Sequence, residues 1–172
     1  MFIPLEDRTA LANAQQADLF VSLHSNASTN HRASGLETYY LDNTTDEAAI
    51  RLAARENSTS RRNITDLQFI LSDLVQNSNI ADSVTLANHL QSSLVRSTRK
   101  KYRHAKNLGV KKGLFYVLVG ARMPAVLAEL FFVTNRVEGR SLKSRSFQNA
   151  IVDGLYQGIT KYNRELLIVD NL

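Results

Sequence analysis

Two side chains stand out for the company they keep. Glu129 is the one ionisable residue in the run Ala125–Val133 (AVLAELFFV), which opens after Pro124. A run that apolar and that short reads as a strand covered on both faces. Burying an unpaired carboxylate there is expensive. The acid must pair with a base such as Arg122, stay protonated, or work beside water in a cleft. His24 ends a second run of the same character, Ala17–His24 (ADLFVSLH), and the small polar residues Ser25 and Asn26 follow it. Taken alone, a histidine in that place serves structure as readily as metal ligation. Taken with Glu129, it suggests two strand ends facing one site, with His24 as a metal ligand and Glu129 as the acid/base. The chain has no cysteine, so a metal would be held by His, Asp or Glu.

Positioning these two residues requires a sheet with helices around it. Leu5–Ala17 reads as a helix with Ala10, Leu11, Ala14 and Ala17 on one face. The first strand, Ala17–His24, places Leu19, Val21 and Leu23 on one side and Phe20, Ser22 and His24 on the other. A polar loop carrying His31, expected to be a surface imidazole, leads to a second strand at Gly35–Leu41. From Asn43 to Lys106 the pattern is helical throughout. Thr44 or Thr45 is placed to cap a segment bearing Ala49, Leu52 and Ala53; Ile64, Leu67, Leu71 and Leu74 form a second stripe. After the polar break Gln76–Asn79, a third runs through Ile80, Val84, Ala87, Leu90 and Leu94. His89 and His104 fall in this helix and in the basic run after it, and neither is assigned to a metal.

Leu114–Val119 then reads as a strand, Ala125–Val133 as the next, and a closing helix starts at Ser144 with Phe147, Ile151, Leu155, Ile159 and Tyr162 on one face. Glu165–Leu172 is expected to be a frayed tail. Strands alternating with amphipathic helices indicate an α/β fold, layered helix–sheet–helix, with an all-helical insertion. The expected division is a principal domain from 1–42 and 107–165, an insertion at 43–106 and a tail at 166–172.

A chain of 172 residues, 44% hydrophobic and 22% charged, suits one globular domain with a real core. No apolar run approaches the roughly 18 residues of a membrane span. The net charge of +5 is concentrated in Arg96–Lys112 (RSTRKKYRHAKNLGVKK), either a solvated helix end and loop or a contact surface for an anionic polymer or partner protein. No nucleic-acid motif accompanies it, and no nucleic-acid partner is expected. The opening MFIPLEDRTALAN lacks the basic and then apolar segments of a secretory leader.

Together, ADLFVSLHSNAS, the following GLETYYL and the later MPAVLAELFFVTN resemble the zinc-dependent N-acetylmuramoyl-L-alanine amidases, which hydrolyse peptidoglycan. FIPLEDRTALANAQQADLF resembles the helix those enzymes place before the histidine strand, and SRSFQNAIVDGLYQGITKY resembles their final helix. The resemblance implies that His24 binds zinc and that Glu129 is the catalytic glutamate acting on the bond between N-acetylmuramic acid and L-alanine. It also implies a periplasmic or cell-envelope setting. Members used in cell separation carry a helical segment in the same interval, which blocks the zinc site until an activator protein moves it. Glu56 is the candidate acid for reaching the metal from that segment.

The family's first strand, with its His-Gly-Gly type motif, and the glutamate on the helix after it have no counterpart here. The expectation is therefore an N-terminally truncated domain lacking its first strands and two of three zinc ligands, with an unpaired sheet edge. Leu130 and Phe131 are also bulkier than the small residues usual just after the catalytic glutamate. A non-catalytic module that binds peptidoglycan or the activator is the alternative reading.

Overall fold

The structure, a computed structural model, describes residues 3–64 and 79–169. Its elements in chain order are α1 (Leu5–Ala14), β1 (Phe20–Asn26), β2 (Leu36–Leu41), α2 (Glu47–Glu56), α3 (Ile80–Arg99), β3 (Asn107–Gly113), a 3-10 turn (Tyr116–Leu118), β4 (Ala125–Phe132), α4 (Arg136–Ser141) and α5 (Arg145–Val169). Among the described residues the strands form one four-stranded sheet in the order β1-β4-β2-β3. The α/β fold, with α2 and α3 in the interval between β2 and β3, is as the residue pattern indicated. Of the second helical stripe, Leu67, Leu71 and Leu74 lie outside the described residues, as do 76–78 of the polar break. Ile64 is fully buried.

Two backbone bonds fix the direction of the central pairing. The Phe20 N–H donates to the Pro124 carbonyl at 2.9 Å, and the Val133 N–H donates to the Asn26 carbonyl at 2.8 Å. Beginning meets beginning and end meets end, so β1 and β4 are parallel. The Leu36 N–H likewise bonds the Lys106 carbonyl at 3.1 Å, where β2 and β3 begin side by side. All eight residues of β4 are buried, as the unbroken apolar run requires.

The described residues form two compact units, one of residues 3–22, 39–64, 79–84 and 111–127, the other of 23–38, 85–110 and 128–169. In the first, the apolar face of α2 (Ala49, Leu52, Ala53) packs with Leu114, Phe115, Leu118 and Tyr39, whose ring centroid lies 4.8 Å from that of Phe115. In the second, Leu36, Leu94, Val95, Leu130, Phe131, Phe147 and Ile151 form the core. Here α5 lies close against α3: a Cβ added at Gly154 would fall 2.8 Å from the Leu94 Cα, and one at Gly158 2.8 Å from the Leu90 Cα. Only glycine permits that approach.

Several boundaries differ from the sequence reading. Asp46, not Thr44 or Thr45, caps α2, its carboxylate accepting the Ala48 N–H at 2.8 Å. The closing helix runs on to Val169, through the first part of the expected tail. The larger correction concerns Leu114–Val119. The strand is the preceding, more polar Asn107–Gly113, while Tyr116–Leu118 forms a 3-10 turn. An edge strand needs only one covered face, and β3 carries the exposed Lys112, which pairs with Asp42 at 3.2 Å. The apolar run instead plugs the core, with Leu114, Phe115, Val117 and Leu118 each at most 2% exposed. Its backbone groups are met by a side chain in place of a ladder. Asn57 Nδ2 donates to the Leu114 carbonyl at 2.7 Å, and Asn57 Oδ1 accepts the Tyr116 N–H at 2.8 Å.

Replacing that amide strands two backbone groups in the interior. Asn57→Ala is expected to cost about 2–4 kcal/mol, read as a lowered urea midpoint with unchanged slope. A loss under about 0.5 kcal/mol would mean that water reaches these groups.

Candidate active site

Register brings the two singled-out residues together. The bond from Phe20 to Pro124 sets Phe20 opposite Ala125, and four residues further along each strand His24 stands opposite Glu129. Opposed residues of parallel strands share a face. His24 lies on the inward face of β1 with the buried Ser22 and Asn26, while Leu23 points outward and is 52% exposed. The side chains of His24 and Glu129 offer ligand atoms within 4.8 Å of one another. Glu129 is fully buried and His24 half-buried. Both sit toward the carboxyl ends of parallel strands, where open α/β sheets gather their sites.

The end of β4 departs from this register. The Val133 N–H meets the Asn26 carbonyl one residue later than the alignment at Phe20 calls for. The extra residue is a bulge, and within it Phe131 adopts φ +66°. A fully buried aromatic residue seldom takes that left-handed conformation.

The loops beyond the two strands are tied to each other. The Thr134 hydroxyl accepts the Ser28 N–H at 3.0 Å, the His31 ring bonds the Thr134 carbonyl through Nδ1 at 3.0 Å, and Asn135 Nδ2 donates to the Ala33 carbonyl at 3.0 Å. Asn135 also caps α4, accepting the N–H groups of Val137 and Glu138. His31 is thus exposed but anchored, and His89 pairs with Glu165 at 2.6 Å. His104 is exposed, its ring 6.4 Å from that of Tyr102. Arg122, considered as a partner for Glu129, is exposed. Glu56 ends α2 in the other unit, half-buried, and accepts hydrogen bonds from the Arg55 guanidinium at 3.0 and 3.1 Å.

Two buried acids escaped the sequence reading. Glu37 on β2 is 5% exposed and accepts from Asn26 Nδ2 at 3.1 Å. An acid inside the sheet-forming run GLETYYL was the available signal, the same one that marked Glu129. Glu138 is 0% exposed, its Oε1 accepting the Gly35 N–H at 2.8 Å and its Oε2 the Phe132 N–H at 2.9 Å. Burial pushes its carboxyl above the ordinary glutamate range, against the lowering effect of those two bonds and of Lys106. Nothing local marks Glu138, which lies in the polar stretch TNRVEGR.

The family model for N-acetylmuramoyl-L-alanine amidase matches residues 1–161. This sheet, with His24 and Glu129 opposed at its carboxyl ends, is therefore that of a family of amidase enzymes, and the chain belongs to it. Among curated relatives, N-acetylmuramoyl-L-alanine amidase AmiA of Escherichia coli is 34% identical over 170 residues, which cover 94% of this chain and 57% of AmiA. The chain thus spans little more than half of that relative. The crystal structure of an N-acetylmuramoyl-L-alanine amidase from Clostridium difficile superposes with a TM-score of 0.68 at 27% identity, covering 95% of this chain and 67% of that one. The CwlD amidase of Clostridioides difficile, solved in complex with the GerS lipoprotein, matches with a TM-score of 0.63 at 25% identity over 93% of this chain and 61% of that one.

Because folded Glu138 holds its proton more tightly than the unfolded chain does, its contribution to stability shrinks as pH rises through its raised pKa. The stability difference between wild type and Glu138→Gln is expected to narrow as pH rises above the ordinary glutamate value of about 4.3, measured by urea unfolding. A difference independent of pH would show that Glu138 ionises normally.

Proposed function

We propose that this chain hydrolyses the amide bond between N-acetylmuramic acid and L-alanine in peptidoglycan, with zinc, at the site of His24 and Glu129. The observation that carries the reading is the opposition of imidazole and carboxylate at the ends of two parallel strands, in a chain of the amidase family. The donors available are imidazole nitrogen and carboxylate oxygen, which zinc accepts without thiolate. His24 would hold the ion, its ring and the Glu129 carboxylate offering donor atoms within 4.8 Å of one another. When bound, zinc supplies Lewis acidity toward the scissile carbonyl.

The proton work falls to Glu129. Its carboxylate takes the proton of the attacking water and returns it to the departing amine of L-alanine. Glu129 is itself fully buried, which keeps bulk water from that exchange. The setting this implies is the periplasm or cell envelope, with peptidoglycan as partner. Among the described residues no helix is long and apolar enough to cross a membrane.

Segment 43–106 is proposed as a regulatory insertion on which an activator protein docks, with Glu56 as an inhibitory ligand. The GerS complex of CwlD is the related case of a protein partner. The second reading, a peptidoglycan- or activator-binding module without catalysis, rests on the ligand count, since His24 and Glu129 together supply a single imidazole.

The test is release of peptide stems from purified muropeptides by the zinc-loaded protein. Glu129→Gln is expected to lower kcat by roughly 10²–10⁴-fold with little change in zinc content. His24→Ala is expected to abolish stoichiometric zinc. Polymer binding without zinc or cleavage would instead support the binding module. For regulation, Glu56→Ala is expected to raise basal hydrolysis several-fold; a fall would remove Glu56 as an inhibitor.

A further inference from the structure

Glu138 has no part in the chemistry above, yet it is a fully buried acid whose two oxygens each hold a backbone N–H. One of these belongs to Phe132, the residue after the left-handed Phe131, and the other to Gly35, at the start of β2. Gly35 has φ +121°, and a Cβ there would lie 2.8 Å from the Lys106 carbonyl oxygen. The carboxylate thus bridges two constrained backbones that meet beside the end of β4.

Phe131 cannot leave its conformation freely. Its ring packs at 5.1 Å from that of Phe147 and 6.4 Å from that of Tyr102, and it is 0% exposed. The ring fixes one side of the bulge. Glu138 fixes the other, by taking the N–H that the bulge turns out of the β1 ladder. Downstream of that point the Val133 N–H anchors the Asn26 carbonyl, two residues beyond His24. Upstream by two residues stands Glu129.

We propose that Glu138 is a positioning residue: its carboxylate holds the strained turn at Phe131, and so keeps Glu129 in register beside His24. This deepens the hydrolytic reading and rests on it. With an amide in place of the carboxylate, only one oxygen is left for two buried N–H groups, and an NH2 aimed at Phe132 leaves that N–H without an acceptor. The way out is for Phe131 to return to the extended region. That erases the bulge and breaks the bond from Val133 to Asn26 that holds the end of β1. Strain of this kind at a bulky residue persists only where the surroundings impose it.

The experiment compares wild type, Glu138→Gln, Phe131→Gly and the double variant. Glycine adopts the left-handed turn without strain, so the double variant has less drive to flatten the bulge than Glu138→Gln has. Glu138→Gln is expected to lower kcat on muropeptides by roughly 10–100-fold with KM little changed, and to weaken zinc binding, read by calorimetry, by a similar factor. Adding Phe131→Gly should restore most of both losses, even where the lost ring lowers Tm. Amide hydrogen exchange at Phe132 should accelerate in Glu138→Gln.

Loss of kcat with no recovery in the double variant would overturn the proposal, as would unchanged zinc affinity and exchange in Glu138→Gln. If Glu138→Gln does not fold but the double variant does, the proposal stands. If neither folds, Glu138 holds more than the turn and the proposal falls. Should the wild-type protein bind zinc yet cleave nothing, the hydrolytic reading fails. Zinc affinity and exchange then still decide whether Glu138 sets the end of β4.

Discussion

The parallel pairing of β1 with β4 is the constraint on which the rest depends. A histidine and a glutamate separated by more than a hundred residues become neighbours because both strands start from the same bond, between Phe20 and Pro124. Pairing in the opposite direction, or a register slipped by one, would send one side chain to the other face. The burial of every residue in β4 enforces that register, since a slip would have to re-seat an apolar strand packed on both sides.

Polar groups in such an interior need partners, and in the second unit a few residues supply several of them. Gln91 of α3 accepts from the Thr38 hydroxyl at 2.8 Å and donates to the Leu36 carbonyl at 2.9 Å and to Asn107 Oδ1 at 2.6 Å. One amide thereby ties a helix to the starts of both β2 and β3. Asn26 with Glu37 does the same between β1 and β2, and Glu138 between β4 and β2. Removing one member of such a network leaves the others unsatisfied, which is why these contacts specify the arrangement more than their individual strengths suggest.

How much of this could be read from the residues varies with the range of the cause. The helix faces of α2, α3 and α5 and the covered strand β4 follow from periodicity, a local property, and Ala49, Leu90, Leu94 and Phe147 are buried as their spacing indicates. Leu114–Val119 misled because strand-forming composition also suits a core plug, and only the distant Asn57 decides between the two. His24 and Glu129 were legible through their contrast with apolar surroundings. Glu138 was not: its burial comes from Gly35 and Phe132 closing around it, and nothing in TNRVEGR distinguishes it from a solvated acid. The bulge at Phe131 was equally hidden, since phenylalanine is the wrong residue from which to infer a left-handed turn.

The sheet's two outer strands differ in character. β3 carries Lys111 and Lys112, whereas β1 turns Leu23 to solvent. At low ionic strength the lysines repel a second molecule from the β3 flank. Added salt weakens that repulsion, so turbidity should climb with salt even where the folded state is undisturbed.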